Sequence, residues 1–224
     1  KAALDGGGFA KAAELQMRWL LAGLLAEQQM AYLLRSHFAD NKRLRVVNNL
    51  KVAHNDVTAQ VDHLVLSQQA MYLIESKSVS DALWVNEHGE WFRLVGRRNE
   101  PMNSPVEQCR RQRQVLVQFL DAHAEQFLGK FLGLQKRLGT YTTHEFVAVS
   151  QKGRIKGPGR DQFAGVVVKC DQVASTIDDH HKATNKGMIG GFFSASEEEF
   201  CTFTKKDFAA LGEFLLASDI AEAP

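Results

Sequence analysis

Two acids and a lysine in this sequence could together hold a divalent cation. Glu75 and Lys77 stand two residues apart at the end of an apolar run, so in a strand both side chains lie on one face. Asp62 lies in the preceding apolar segment, and the short polar link 67–70 between the two segments is typical of a hairpin. A turn centred on this link places Asp62 opposite Glu75 and Gln60 opposite Lys77. Two opposed acids repel each other unless a cation lies between them.

This combination suits metal-assisted hydrolysis of a phosphodiester. Mg²⁺ prefers carboxylate and carbonyl oxygens and keeps several waters, and it neutralises phosphate charge, generates hydroxide and stabilises the leaving oxygen. Lys77 would orient the attacking water or offset charge in the transition state. The alternative for Glu75 and Lys77 is an ion pair on an exposed edge strand. The apolar run 72–74 favours a central strand instead, where an unpaired charge is costly.

The order and spacing of these motifs resemble the PD-(D/E)xK nucleases and, more narrowly, the nuclease-related domain, NERD. That family's pattern has Gly-Glu on the first helix, then Gln-Ile-Asp-His, Ile-Glu-Thr-Lys, and Asn-Pro-x-x-Gln opening a helix. Residues 60–63 and 74–77 match nearly residue for residue, and residues 103–108 match with one insertion. Ala13-Glu14 is matched to the Gly-Glu pair, so the acid is kept without the glycine. The resemblance covers about residues 8–128.

The resemblance implies an α/β, restriction-endonuclease-like fold with a mixed central β-sheet flanked by α-helices. It implies a Mg²⁺- or Mn²⁺-dependent nuclease that acts on DNA. Two alternatives stay open: a DNA-binding or interaction module of the same fold with weak or absent turnover, and a nuclease that acts on RNA. The implied catalytic residues are Asp62, Glu75, Lys77, Gln108 and Glu14, and the implied metal ligands are Asp62, Glu75 and the backbone carbonyl of Ser76. For Glu14 the alternative is an ordinary helix-surface residue.

Basic residues near these motifs are candidates for contact with a nucleic-acid backbone, because a polyanion beside an acidic site requires cations that offset the repulsion. The alternative for each is a solvated surface. The sequence Asp178-Asp179-His180-His181 is interpreted as surface rather than as a metal site, because no further ligand lies at a suitable spacing. The candidate backbone contacts are Arg97, Arg98, Arg110, Arg111, Arg113, Lys152, Arg154 and Lys156.

Composition limits the classes of protein to which the chain can belong. The formal net charge of the 224 residues is +1, so affinity for nucleic acid must come from local clusters of charge. Three widely spaced cysteines predict neither a disulfide framework nor a zinc site, which favours a reducing, cytoplasmic location. No apolar run reaches the roughly 18 residues that a bilayer span requires, so no membrane contact is expected from this segment. The sequence does not indicate an oligomeric state.

The elements that must position the candidate residues follow from periodicity and turn signals. We expect a flexible leader at 1–8, a NERD-like domain at 9–177, and a C-terminal extension at 178–224 that packs on the same domain. Ser104, Pro105 and Glu107 predict the start of a helix. The expected helices are 9–38, 104–128 and 205–216, the expected strands are 44–53, 59–66, 71–77, 83–85, 91–94, 146–150 and 165–170, and the expected irregular segments are 99–103 and 178–198.

Overall fold

The computed structural model describes residues 6–95, 98–131, 134–135, 137–138, 141–190 and 203–220. The helices in these ranges are α1 (Gly6–Phe38), α2 (Pro105–Ala122), α3 (Val173–Gly190) and α4 (Lys205–Ala217). The strands are β1 (Arg45–His54), β2 (Val57–Leu66), β3 (Ala70–Lys77), β4 (Ala82–Val85), β5 (Trp91–Val95), β6 (Arg98–Met102), β7 (Lys130–Phe131), β8 (Leu134–Gln135), β9 (Thr142–Val149), β10 (Arg154–Lys156) and β11 (Val167–Lys169).

A five-stranded mixed sheet forms the centre of the fold. Its strand order is β1-β2-β3-β9-β11. The first three strands are antiparallel neighbours, whereas β9 lies parallel to both β3 and β11. Helices pack on the two faces of this sheet. The expected α/β fold with a mixed central sheet is confirmed, and β3 is a central strand, as its apolar sequence predicted.

Alternation along β3 divides the core between two helical layers. Leu73 packs in a hydrophobic cluster with residues of α2 and α4. Tyr72 and Ile74 point the other way, into a cluster with residues of α1 and α3. Glu75 and Lys77 continue the row of Leu73 and therefore face α2 at the point where the apolar residues of this row end.

A second sheet lies beside the end of β3 that carries the charged residues. Its strand order is β10-β4-β5-β6, in which β4, β5 and β6 are antiparallel neighbours and β10 is parallel to β4. Val79, Leu83 and Trp91 pack there against Val147 and Val149 of β9. This packing brings β5 to the charged end of β3.

The two halves of α1 have different surroundings. The helix has 33 residues, which corresponds to a length of about 50 Å. Met30, Leu34 and Phe38 of its C-terminal half are buried in the core. The part of the helix before Ala26 exposes large apolar side chains, namely Leu15, Met17, Trp19, Leu20, Leu21, Leu24 and Leu25. Among the helices of the described ranges, none combines the length and the apolar character that crossing a membrane demands.

Two segments that were expected to be irregular contain regular elements in the part of the chain that the structure describes. Most of 99–103 belongs to the exposed edge strand β6, where Pro101 is tolerated because one side of an edge strand needs no hydrogen bonds. Residues 178–190 belong to α3, and 191–198 lie outside the described residues. Buried Ile177 and His181 lie four residues apart, as on one face of a helix. The interpretation of His181 as a surface residue was therefore wrong.

Several element boundaries differ from the expectation. α1 begins at Gly6, inside the segment expected as a leader, and residues 1–5 lie outside the described part of the chain. The Ser104 hydroxyl caps α2 by accepting a 3.2 Å hydrogen bond from the Glu107 N–H, as predicted. However, α2 ends at Ala122 rather than near residue 128. α3 crosses the boundary that was expected between 177 and 178, and α4 confirms the final helix.

Candidate active site

The β2–β3 hairpin brings Asp62 beside residues 75–77. His63 pairs with Ile74, which is the register that the sequence predicted. The Ser76 backbone N–H donates a 2.8 Å hydrogen bond to Oδ2 of Asp62. This bond fixes one carboxylate oxygen of Asp62 at the end of β3.

Glu75, Lys77 and Gln108 form a three-way contact. Oε1 of Glu75 accepts hydrogen bonds from Lys77 Nζ at 2.5 Å and from Gln108 Nε2 at 2.8 Å. Lys77 Nζ also donates to Oε1 of Gln108 at 3.1 Å. The cap at Ser104 sets the start of α2 and thereby the position of Gln108 above β3. Oε2 of Glu75 is buried and has no hydrogen-bond partner among the described residues.

Burial and mutual repulsion act on the acids of this group. Burial, followed by the charge of Glu75, raises the pKa of Asp62 to about 7, although the Ser76 N–H opposes the rise. Glu27 of α1 adds to it. The pKa of Glu27 is itself raised by burial and then by Glu75. Three acids therefore approach one another, and the positive charge of Lys77 offsets this repulsion only in part.

These side chains line a cleft of about 420 Å³ between α1, α2 and the charged end of β3. Its wall includes Glu27, Asp62, Glu75, Lys77, Arg93 and Gln108. The cleft thus combines several hard oxygen donors with cations at its margin.

Comparison with known families agrees with this geometry. Residues 22–147, more than half of the chain, match the nuclease-related domain, NERD. The chain belongs to the NERD family. Comparison with curated proteins and with solved structures gives no match. Membership of this family indicates a nuclease-related function and an interaction with nucleic acid.

We call the cleft described above the NERD cleft. The acid that α1 contributes to it is Glu27, not Glu14 as the sequence predicted. Glu14 is exposed and forms an ion pair with Arg18 at 2.7 Å. It lies 13 positions before Glu27, about 20 Å away along α1, and the family match begins only at residue 22. Ala26-Glu27 has the same small-residue-then-acid pattern as Ala13-Glu14, so the sequence offered both pairs. Partial burial and a position in the wall of the cleft distinguish Glu27 from Glu14.

Sequence reasoning also missed Arg93 and His63. Arg93 reaches the NERD cleft from β5, and its buried Nε has no hydrogen-bond partner in the described part of the chain. His63 is buried, and its ring nitrogens contact Asn48 Oδ1 at 2.7 Å and Ser76 Oγ at 3.0 Å. Burial lowers the pKa of His63 to about 4. A neutral His63 therefore braces the segment that binds Asp62.

The basic candidates on α2 are not equivalent. Arg113 and Arg110 form ion pairs with Glu145 of β9, and Arg110 also pairs with Glu107. Arg111 is exposed and has no ion pair with any described residue.

The other basic candidates lie on loops and on the second sheet. Lys152 lines a recess next to the cleft, and Arg154 lies 3.6 Å from Asp81. Lys156 lies on β10, opposite Trp84. Arg98 lies on the exposed strand β6, whereas Arg97 lies outside the described residues.

The donor set of the NERD cleft fits a hard divalent cation. Within the described ranges, no group of three or more His, Cys, Asp or Glu side chains is arranged to hold a metal ion. Asp62 and the unpartnered Oε2 of Glu75 are nevertheless suited to the one or two protein carboxylates with which Mg²⁺ is commonly bound, together with waters and substrate phosphate. The repulsion that raises the pKa of Asp62 also diminishes when a dication is present.

Proposed function

We propose that this chain is a Mg²⁺- or Mn²⁺-dependent nuclease that hydrolyses phosphodiester bonds of DNA. The observation that carries the proposal is the buried, unpartnered Oε2 of Glu75 beside Asp62, whose pKa is raised to about 7. Buried polar atoms are normally hydrogen-bonded, so this pair of acids is incomplete without a cation. Family membership supports the same interpretation.

Asp62, Glu75 and the backbone carbonyl of Ser76 would hold the metal. When bound, the cation supplies charge neutralisation at the phosphate and lowers the pKa of a coordinated water. The Ser76 N–H and the braced His63 keep Asp62 oriented. Glu27 takes the supporting role that the sequence assigned to Glu14, and its raised pKa makes it suited to accept a proton from a water in the cleft.

Lys77 and Gln108 act on the reacting phosphate and on the water. Lys77 is held by two oxygen acceptors, so its ammonium is fixed before substrate arrives. A fixed cation lowers the energy of a transition state in which negative charge grows on phosphate oxygens. Gln108 forms hydrogen bonds with both Lys77 and Glu75. These bonds hold the ammonium of Lys77 and the carboxylate of Glu75 in fixed positions relative to each other.

Contact with the DNA backbone would come from cations at the margin of the cleft. Arg93 lines the cleft, and Lys152 lines the recess that continues from it past Ser78 and Ser80. Arg111 lies three residues after Gln108, so the two are neighbours on the surface of α2. Arg93 and Lys152 at the cleft and its continuation, with exposed Arg111 one turn beyond Gln108, would offset the repulsion between the acids and a polyanion.

A cleavage assay with metal controls tests this proposal. Purified protein is incubated with single-stranded, duplex and nicked DNA and with RNA, in Mg²⁺, Mn²⁺ or EDTA. The Asp62→Asn variant is assayed in parallel under the same conditions. We expect cleavage of DNA that requires metal and is lost in the variant. Cleavage of RNA alone would reassign the substrate. Cleavage that survives EDTA or the substitution would contradict the metal-dependent mechanism.

Two observations favour a second candidate, a nucleic-acid-binding module of the same fold. Lys77 Nζ is already engaged by Glu75 and Gln108, and the described residues contain no three-ligand group for a metal. A module of this kind would bind DNA with the same affinity in Mg²⁺ and in EDTA, and would leave every substrate of the assay intact.

A further inference from the structure

A second concave surface lies at the opposite end of the β2–β3 hairpin from the candidate active site. It has a volume of about 640 Å³ and lies between the loop after α1, the hairpin turn and the start of α4. We call it the basic concavity. Its lining residues are Lys42, Arg43, Arg45, Gln68, Gln69, His181, Lys205, Phe208 and Ala209.

The charged side chains that line the basic concavity are all positive among the described residues. The basic concavity contains four permanent cations, and no acid is among its described lining residues. Within the described part of the chain, Lys42, Arg43, Arg45 and Lys205 form no ion pair. Clustered cations repel one another, and a bound anion removes that repulsion.

Arg45 is held in position before any ligand binds. Its guanidinium lies 5.5 Å from the ring centroid of Phe208, and one of its NH groups lies 3.4 Å from the Ala209 carbonyl. The ring and the carbonyl fix the plane of the guanidinium, whose planar array of N–H donors suits paired oxygens of phosphate. A side chain that is already ordered loses less conformational entropy on binding.

His181 adds a buried and unpartnered polar atom to this surface. The residue is only 9% exposed, and its Nδ1 has no hydrogen-bond partner among the described residues. Buried polar atoms without partners are uncommon. His181, Lys42 and Arg43 also line a neighbouring recess, which contains Asp40 and Asp178. Asp178 is engaged by His37 at 2.7 Å, and within the described part of the chain neither Asp40 nor Asp178 forms an ion pair with Lys42 or Arg43.

The N-terminus of α4 does not by itself form this surface. Thr204 and Asp207 form a reciprocal cap, in which the Thr204 hydroxyl accepts from the Asp207 N–H and the Asp207 carboxylate accepts from the Thr204 N–H. Asp207 is also an acid nearby, but it is buried. Side-chain donors are therefore the groups that would meet a ligand.

We propose that the basic concavity is a binding site for phosphate groups, distinct from the candidate active site. Arg43, Arg45 and Lys205 would contact phosphate oxygens, and Nδ1 of His181 would take one of them as its missing partner. Gln69 of the turn and Ser76 of β3 are seven positions apart, a distance of about 23 Å along an extended chain. The site therefore does not depend on the nuclease proposal.

Binding of two probes in metal-free buffer tests the site. Inorganic pyrophosphate is titrated by calorimetry, and a fluorescent single-stranded 12-nucleotide DNA by anisotropy, both with EDTA, so that the active-site acids hold no cation that could bind phosphate. The test variant is Arg43→Ala/Lys205→Ala. The matched control is Arg35→Ala/Lys206→Ala, which removes two exposed charges from neighbouring positions outside the concavity. All four side chains are exposed, so both variants should fold.

We expect the test variant to bind at least one probe tenfold more weakly, whereas the control stays within about twofold of wild type. A loss for pyrophosphate identifies a site for small phosphates, and a loss for the oligonucleotide alone identifies a backbone site. His181→Gln should reduce the same binding. Equal affinities of the two double variants for both probes would overturn the proposal. Metal-dependent cleavage, measured separately on the test variant, reports on the nuclease proposal independently.

Discussion

At the scale of single residues, Lys77 occupies the position on which the proposed chemistry depends most. Its ammonium contacts an oxygen of Glu75, a residue that is only 3% exposed, and an oxygen of Gln108. A buried carboxylate is tolerated when a cation and hydrogen bonds compensate for lost hydration. Lys77 therefore has a structural role in the metal-free protein and a proposed catalytic role with substrate.

We predict that Lys77→Met lowers the rate of DNA cleavage by two or more orders of magnitude, equivalent to about 3 kcal/mol of barrier. Both acids that we propose as metal ligands, Asp62 and Glu75, remain, so calorimetry should still detect Mn²⁺ binding. Lys206→Met, at an exposed position of α4, is the control and should cleave at the wild-type rate. If Lys77→Met cleaves as fast as wild type, Lys77 is only the partner of an ion pair.

The raised pKa of Asp62 predicts how stability depends on pH. In the folded, metal-free protein Asp62 keeps its proton up to pH about 7, whereas an unperturbed carboxyl loses it near 3.8. The folded state thus binds the proton more tightly. The stabilising contribution of Asp62 is complete below about pH 4 and is lost as the pH rises to about 7.

Thermal unfolding in EDTA from pH 4 to 8 measures this contribution as the difference between wild type and Asp62→Asn. The difference also cancels the opposite effect of buried His63, whose lowered pKa removes stability as the pH falls from 6.5 to about 4. We expect the wild type to lose stability relative to the variant as the pH rises. Parallel profiles of stability against pH for the two proteins would show that the pKa of Asp62 is not raised in the folded state.

At the scale of secondary-structure elements, α1 determines which acid reaches the cleft. Its C-terminal half packs on β3 through Met30 and Leu34, and Glu27 lies one turn before this packed region. Glu14 lies in the exposed N-terminal half. The two acids are on the same helix, but only one is close to Asp62.

We predict that Glu27→Gln reduces DNA cleavage at least tenfold, whereas Glu14→Gln leaves it within about twofold of wild type. The first substitution removes a proton acceptor and one of the charges that raise the pKa of Asp62. The second removes a solvent-exposed ion pair, which contributes little. Initial rates in Mg²⁺ at saturating substrate measure both. Equal rates for the two variants would remove Glu27 from the mechanism.

Local sequence was sufficient for one part of the site and insufficient for the rest. The β2–β3 register followed from the length of the hairpin link, and the place of Gln108 followed from the cap at Ser104. Glu27 was missed because a regular helix offers an acid every few turns, and only tertiary packing selects one. Arg93 was missed because it comes from a separate sheet, whose position no local pattern encodes.

Elements with mixed or polar composition were the ones that the sequence failed to predict. β6 has exposed side chains, so the period-2 alternation that marks a half-buried strand is absent. The polar run in α3 concealed a helix that is buried on one side. By contrast, the continuous apolar run of β3 predicted a central strand, because burial on both faces requires such a composition.

At the scale of the whole molecule, the net charge is only +1. Binding of nucleic acid must therefore depend on where a few cations lie on the surface. On α2, Arg110 and Arg113 face β9, where both pair with Glu145, whose side chain is mostly buried. Arg111 is exposed and lies about one helical turn after Gln108, a residue that lines the cleft. Hence the three arginines, which lie within four residues of sequence, have different surroundings in the fold.

This difference predicts distinct dependences of DNA binding on salt. Arg111→Ala should weaken binding to duplex DNA and reduce the slope of log K against log salt by about 0.9 if one phosphate contact is lost. Arg113→Ala should leave the slope unchanged, because its charge is already matched by Glu145. Fluorescence anisotropy in EDTA, at salt concentrations from about 50 to about 200 mM, measures the slopes of both variants without cleavage of the DNA. A reduced slope for Arg113→Ala would mean that its ion pair opens to bind DNA, and an unchanged slope for Arg111→Ala would place the duplex elsewhere on the molecule.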